Sequence, residues 1–353
     1  MPRLDANHPV AAVLTGLLDR FRVEREIPPL APDERLDGKL ALVTGGASGL
    51  GFATSVDLAR RGARVLLADR REPERARDRA VALGVPPDRI EPMQVDLSDL
   101  DDVDRLAADL ARQGARIDRL VLNAAIVPTV ARTTPQGLDE MFVVNYLSSF
   151  ALVTRLLENG ALPRDRRPGD VPRVVVVSSE AHRWSQGVPP VRLDAPRDGS
   201  PRRVLAWYGT YKLMLTTFAW ELARRTQVDG SPRVSVLALC PGAMRTGIAR
   251  ELPAPLRVPL DGLMRLFFQD PFVADEPVLH LACSRALEGR TAVYLHRMAV
   301  KQVDPRAADE GAARALWERS EAVLAAWQEP VSPPAGSPSR EAPSSAGRSA
   351  VRG

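Results

Sequence analysis

The chain is poor in cysteine, lysine and aromatic residues, and each shortage removes a class of protein. Only Cys240 and Cys283 occur in 353 residues, too few for a disulfide framework, and neither has company at metal-ligand spacing. A reducing compartment and no metal are therefore expected. No apolar run is long enough for a membrane span. The longest near the start, VAAVLTGLL, is bounded by Asp5 and Asp19 and falls short of the ~20 residues a spanning helix needs. No basic leader with a small-residue cleavage site precedes it, which predicts a cytoplasmic rather than a secreted protein. Aromatics make up 5% of the chain and do not alternate with basic residues. The net charge of +4 and pI near 9.4 therefore do not describe a nucleic-acid surface. Arginine is instead interleaved with acids, as in DRREPERARDRA, the pattern of a solvated helix face.

What remains is a soluble globular chain whose apolar share, 45%, suffices for a real core. Residues 1–37 read as a polar, proline-punctuated arm with one amphipathic stretch over 10–22. From Lys39 the pattern becomes a regular alternation. KLALVT, RVLLAD, IEPMQVD, IDRLVLNAA, RVVVVSS, RVSVLAL and TAVYL are short apolar runs, separated by segments of helical period. Helices are expected near 98–113, 138–157, 204–225 and 307–327. Strands so uniformly apolar are buried on both faces, which predicts an α/β fold with a doubly wound parallel sheet, the Rossmann fold. A single domain is expected over 38–329, with a disordered Pro/Ser/Ala/Gly tail at 330–353.

The first strand runs into TGGASGLG, which places Gly45, Gly49 and Gly51 between a strand and a helix. In that context small residues let the backbone approach a pyrophosphate at the helix N-terminus. An ordinary tight turn is the plainer reading. The second strand ends at Asp69, whose carboxylate suits the adenosine ribose hydroxyls and so NAD. Arg70 and Arg71 follow directly, and a guanidinium there suits the 2′-phosphate of NADP. Because Asp69 would repel that phosphate and the glycine turn holds no basic residue, NAD is expected, with NADP the alternative. Asp96 ends the third strand, where it can reach the adenine edge or simply cap the next helix.

The scarce residues crowd into WYGTYKLML at 207–215, which holds two of four tyrosines and one of three lysines. On a helix, Tyr208 shares a face with Lys212 while Tyr211 points elsewhere. A phenol titrating near 10 becomes useful for proton transfer if lowered by roughly 2–3 units, and a neighbouring ammonium shifts it that way. Ser179, at the end of RVVVVSS, can hydrogen-bond a substrate oxygen, with Ser178 as its rival. The bland alternative is a helix on which Tyr208 packs and Lys212 snorkels. His182 reads more readily as a surface or satisfied loop residue than as a base.

In chain order, TGGASGLG, NAA, Asn145, Ser179, Tyr208 with Lys212, and PGAMRT resemble the short-chain dehydrogenase/reductase family over about residues 38–300. SSEAH, the insert before Tyr208 and PGAMRT are similar to its retinol dehydrogenase and protochlorophyllide reductase branch. The resemblance implies hydride transfer between a nicotinamide cofactor and a secondary alcohol or ketone, bulky and lipophilic in that branch. It implies catalytic roles for Ser179, Tyr208 and Lys212, and a proton-relay role for Asn145. Implied cofactor contacts are Gly45, Ser48, Gly49, Leu50 and Gly51 in the turn. To these it adds Asp69 and Arg70, Asp96, Leu97 and Asn123, and then Tyr208, Lys212, Pro241, Gly242 and Thr246. Two departures stand out: Asp69 where that branch carries a basic residue without Asp, and Ala125 where the family has glycine.

Asn123 could instead satisfy turn backbone, and Asn145 could sit in a kinked helix. Segment 251–272 reads as a substrate lid or as a helix pair completing the core. The partner expected is a small molecule. Family analogy adds a homodimer or homotetramer through the helices after Phe142 and Tyr208. A catalytically silent dinucleotide sensor or scaffold, and a nucleotide-sugar epimerase, are the competing functions.

Overall fold

A computed structural model describes residues 26–128, 130–165, 170–185, 187, 201–242 and 269–328. Stretch 10–22, Thr246, tail 330–353 and most of segments 183–205 and 251–272 lie outside the described residues. The strands are β1 (Leu40–Thr44), β2 (Arg64–Asp69), β3 (Ile90–Gln94), β4 (Arg119–Leu122) and β5 (Arg173–Val177). A separate hairpin, β6 (Gln227–Val228) and β7 (Ser231–Pro232), precedes β8 (Ser235–Cys240), β9 (Val293–His296) and β10 (Ala299–Val300). The main sheet runs β10-β9-β8-β5-β4-β1-β2-β3, parallel throughout except for the β9–β10 return.

The chain starts at β1, builds outward through β2 to β3, then crosses back to β4 on the other side of β1. That reversal opens a crevice beyond the carboxyl ends of β1 and β4, the place where open α/β sheets bind ligands. Strand residues alternate between two layers. Leu42, Val174, Val176, Val236 and Ala238 face one core cluster, while Ala41, Val43, Val175, Leu237 and Leu239 face the other. Both faces are covered, which is why the strands read as continuous apolar runs. Pro92 interrupts IEPMQ without harm because β3 is the edge strand, where a missing N–H breaks no inner ladder.

The second layer is built from α1 (Gly49–Arg60) and α2 (Pro73–Ala82). The first takes α3 (Leu100–Arg112), α4 (Glu140–Glu158) and α5 (Pro201–Arg225). α6 (Glu276–Cys283) joins the second layer and α7 (Glu310–Gln328) the first. α3 shows how the sequence dictates the packing: Leu100, Val103, Leu106, Ala107 and Leu110 form one buried stripe, and the Asp99 carboxylate caps its start by accepting from Asp101 N–H. α4 is long and apolar enough to cross a bilayer by composition, yet most of it is buried inside the protein. It contains a π turn at Val143–Leu147.

Three features departed from the sequence-based expectations. α6 was missed because EPVLHLAC is short and buried all round after Glu276, leaving no polar face to give a period. Its last carbonyls are held by two buried guanidiniums: Arg119 Nε donates to Ala282 O at 2.5 Å and Arg173 Nη1 to Leu281 O at 3.0 Å. These arginines are therefore structural and not part of a solvated face. The β6–β7 hairpin turns through Asp229 and Gly230, both at positive φ, an Asp-Gly signal legible in VDGS. The helix expected at 307–327 is a short turn, Pro305–Ala308, followed by α7, with Asp309 Oδ1 accepting Ala312 N–H at 2.7 Å between them.

Residues 26–37 lie against the sheet. Leu36 is buried, Leu36 N donates to Arg61 O at 2.8 Å, and Ile27 N to Met298 O at 3.0 Å. The scarce aromatics gather where α7 crosses α4 and α5. Trp317 meets Phe150 edge-on at 4.9 Å and Phe218 at 5.8 Å, the Arg225 guanidinium sits 4.3 Å over its ring, and Tyr146 Oη bonds Ser320 Oγ at 2.6 Å. α7 thus covers the helix face through which homo-oligomerisation was expected.

Removing this anchor should be costly. Trp317→Ala should lower the unfolding free energy by about 3–5 kcal/mol in equilibrium urea denaturation, the range for truncating a buried Trp. A loss below 1 kcal/mol would mean that α7 is not integral to the core.

Candidate active site

The glycine turn after β1 is braced from two sides. Asn123, directly after β4, donates from Nδ2 to Thr44 O at 2.9 Å and Gly45 O at 3.2 Å, while its own N–H reaches Thr44 Oγ1 at 3.0 Å. From the other side, Asp69 Oδ2 accepts Ala47 N–H at 3.0 Å. Gly45 takes φ +66°, and a Cβ at Gly51 would sit 2.2 Å from Gly45 O. The loop therefore excludes side chains and closes tightly onto α1. Ser48 holds the N-cap position without using its hydroxyl as a cap, and Gly49 and the buried Leu50 begin the helix. A cradle of backbone amides at the start of a twelve-residue helix fits a dinucleotide pyrophosphate. Asn123 matches the turn-satisfying alternative: its amide donors serve the loop itself.

At the end of β2, Asp69 also accepts Arg71 N–H at 3.0 Å. Asp96 Oδ1 accepts from Ser98 N at 2.9 Å and Ser98 Oγ at 2.7 Å. Burial pushes the Asp96 carboxyl up, but these bonds and the Arg70 guanidinium outweigh it and hold it below its ordinary range. The cap of α3 is Asp99, not Asp96. Leu97 has its side chain in the core.

Ser179, Tyr208 and Lys212 meet at the carboxyl end of β5. α5 comes against the 3₁₀ turn Glu180–Trp184 at Gly209, where a Cβ would lie 2.6 Å from Ala181 O. Sequence reasoning passed over Gly209, although a glycine inside a strongly helical stretch signals close approach. The contact brings Tyr208 into a hydrogen bond with Ser179. Lys212 is almost fully buried, with Nζ donating to Val177 O at 2.8 Å and standing 5.8 Å from the Tyr208 ring centroid. Tyr211 faces the core against Phe142 and Trp207. Ser178 is spent on a buried 2.6 Å bond with Thr216 Oγ1, which leaves Ser179 as the available hydroxyl.

Lys212 and a positive nicotinamide were expected to lower the Tyr208 phenol. In the chain alone burial pushes it up to about 12, and the bond with Ser179 only partly offsets this. Tyr208 keeps part of its surface open, so the push acts on the phenol less fully than on the sealed Tyr146, which is raised further. Burial likewise draws the Lys212 ammonium down to about 8. The Lys212 ammonium bonds the Val177 carbonyl and stands 5.8 Å from the Tyr208 ring centroid, and burial dominates the phenol.

Asn145 sits in the π turn of α4 and is fully buried. Its Oδ1 accepts Ile126 N–H at 2.8 Å and its Nδ2 donates to Ile126 O at 2.9 Å. One bond at each end of the amide ties the side chain to Ile126 and fixes the loop after β4. His182 is buried, not on the surface. Its Nδ1 lies 2.6 Å from Ser179 O and must carry the proton, since a carbonyl only accepts.

β8 ends at Cys240, followed by Pro241 and Gly242, the latter at φ +89°. Among the described residues, Glu180, Cys240 and His296 bring metal-ligand types within 4.8 Å of one another. The Glu180 carboxylate is already taken by Lys301 Nζ at 2.5 Å, Arg183 Nε at 3.1 Å and Tyr294 Oη at 3.1 Å. The group reads as an ion-pair network anchoring the turn.

A cradle that fits a dinucleotide and a Ser-Tyr-Lys cluster, both at the carboxyl ends of the strands, are the arrangement of a nicotinamide-dependent oxidoreductase. The short chain dehydrogenase family model matches residues 39–189. Retinol dehydrogenase 14 of Mus musculus is 32% identical over 302 residues, covering 82% of this chain and 86% of that protein. An uncharacterised protein from Mycobacterium paratuberculosis has the same fold with a TM-score of 0.64 at 26% identity, over 84% of this chain and 98% of that one. The angucycline C-6 ketoreductase LanV, solved with NADP, gives a TM-score of 0.54 at 27% identity over 74% and 95%. The chain belongs to the short-chain dehydrogenase/reductase family, on its retinol dehydrogenase branch, and is an NAD(P)-dependent enzyme acting on alcohol and carbonyl groups.

Two outcomes are expected of the site. Gly209→Ala should push α5 off the 180–184 turn and lower kcat/KM by about a hundredfold, as displacements near 1 Å do, with nucleotide affinity little changed by calorimetry. Between pH 8 and 10.5 the unfolded chain holds a Lys212 proton that the folded chain has released, so stability gains with rising pH there. Relative to Lys212→Met, the wild-type unfolding free energy should rise by about 3 kcal/mol across that window, and a flat difference would refute the depressed ammonium.

Proposed function

We propose that this chain reversibly transfers a hydride between NAD and a lipophilic secondary alcohol or ketone. The observation that carries this reading is the convergence of Ser179, Tyr208 and Lys212 after β5, at the same carboxyl end of the sheet as the braced glycine turn after β1. The nicotinamide ring, when bound, supplies or accepts the hydride. Ser179 donates to the substrate oxygen and polarises it. Tyr208 gives that oxygen its proton in the reducing direction, and a phenol held near 12 is fully protonated for the task. Lys212 keeps α5 seated on β5 and stays largely protonated at neutral pH, and it would hold the nicotinamide ribose when the cofactor is bound.

NAD over NADP is supported by Asp69 at the ribose position and by the absence of any basic residue in the glycine turn. NADP in LanV keeps the phosphorylated dinucleotide as the alternative. A lipophilic substrate is supported by the partly exposed Trp184, which ends the turn after Ser179, and by Leu205, one turn before Tyr208 on α5. The name of the mouse relative agrees with it. A cytoplasmic location and a homodimer belong to the same reading, although assembly through α4 and α5 would have to accommodate α7.

Tyr208→Phe tests the proposal. With retinol-like and smaller secondary alcohols as substrates, the variant should lose NADH formation by about 10²–10⁴-fold, while NAD affinity stays within about threefold. Wild-type protein that binds nucleotide yet turns over no alcohol or ketone would favour the silent sensor instead.

A further inference from the structure

Arg70 follows Asp69 at the end of β2, where a guanidinium would be placed to meet a phosphate on the adenosine ribose. In this fold it is already engaged. Arg70 Nη1 lies 3.3 Å from Glu140 Oε1 and 3.5 Å from Asp96 Oδ2. Glu140 is far away in sequence, and its side chain is only 8% exposed. It is the first residue of α4, its N–H donates to Arg132 O at 2.9 Å, and its second oxygen accepts from Arg132 Nε. Asp139 caps the same turn by accepting Phe142 N–H at 2.7 Å. The Glu140 carboxylate is therefore held by a helix start, whose partial positive charge also favours it there. Gln94 Nε2 fixes Arg70 from the backbone side, donating to its carbonyl at 2.7 Å.

We infer that Glu140 is a positioning residue for cofactor choice: with Asp96 it holds Arg70 away from the ribose 2′ position and so disfavours a nucleotide that carries a 2′-phosphate. To recruit Arg70, such a phosphate must displace two carboxylates and strip a nearly buried Glu140 of one of its two cations. It must do so beside Asp69 as well, a third negative charge at the same strand end. A nucleotide with free ribose hydroxyls demands no such exchange. This inference rests on the dinucleotide reading given above and names a residue outside the β2 end itself.

The test is isothermal titration of NAD and NADP into the full chain, which needs no substrate. Glu140→Gln should tighten NADP relative to NAD by about tenfold, the scale of one charged hydrogen bond, with NAD affinity within about twofold of wild type. In an Arg70→Ala background the same substitution should leave the ratio unmoved, because the effect acts through that guanidinium. A ratio unchanged in folded Glu140→Gln, or one that shifts equally without Arg70, overturns the inference. Should that variant not fold, Asp96→Asn must move the ratio in the same direction, and failure to do so is equally decisive. Wild-type protein that binds neither nucleotide would instead overturn the dinucleotide reading and remove this one with it.

Discussion

A buried ammonium needs a partner, and the site is arranged around the partner Lys212 finds. Its Nζ donates to the Val177 carbonyl at the last residue of β5, which pins one turn of α5 to the end of the sheet. With Lys212 seated there, Tyr208 lies one helical turn earlier, beside the serine that continues the same strand. Gly209 lets the helix come close enough, since any Cβ would collide with the Ala181 carbonyl. An exposed lysine could choose among many conformations, whereas a sealed one cannot leave its acceptor without stranding a charge, a loss of about 3–5 kcal/mol.

The cofactor end uses the same economy of backbone contacts. Thr44, Asn123 and Asp69 spend their polar groups on the glycine turn, so the loop is shaped before any ligand arrives. That preorganisation removes a cost from binding. Farther out, Arg70, Asp96, Glu140 and Arg132 form a network in which a cation is held as tightly as the cradle itself. The 3₁₀ turn carrying Ser179 is likewise anchored, with Glu180 bonded to Lys301 and Tyr294 and with His182 beneath the Ser179 carbonyl. The glycine turn and the serine turn are thus each fixed by hydrogen bonds and ion pairs from neighbouring segments.

Much of this was legible from residue order. The apolar runs located all seven parallel strands because burial on both faces leaves few polar residues within the inner ones. Tyr208 and Lys212 were paired by helical spacing, and Tyr211 was rightly set aside. What escaped was whatever depends on a distant neighbour. Asn145 was read as a relay residue or as a polar residue of a kinked helix, and only the fold showed that both ends of its amide meet Ile126. Tyr208 was expected to be acidified by an adjacent cation, and only the fold showed that cation turned towards a carbonyl. The choice between Ser178 and Ser179 needed Thr216, whose hydroxyl reaches Ser178 from a helix well along the chain.

Periodicity and the placing of small residues, then, determined the sheet, most of its helices and the two candidate clusters, because these patterns reflect local backbone geometry and burial. The tertiary structure decided which hydroxyl is available, which way Lys212 points, and that Arg70 is held by Glu140. Those outcomes turn on hydrogen bonds and charges between segments that adjoin only once the chain has folded.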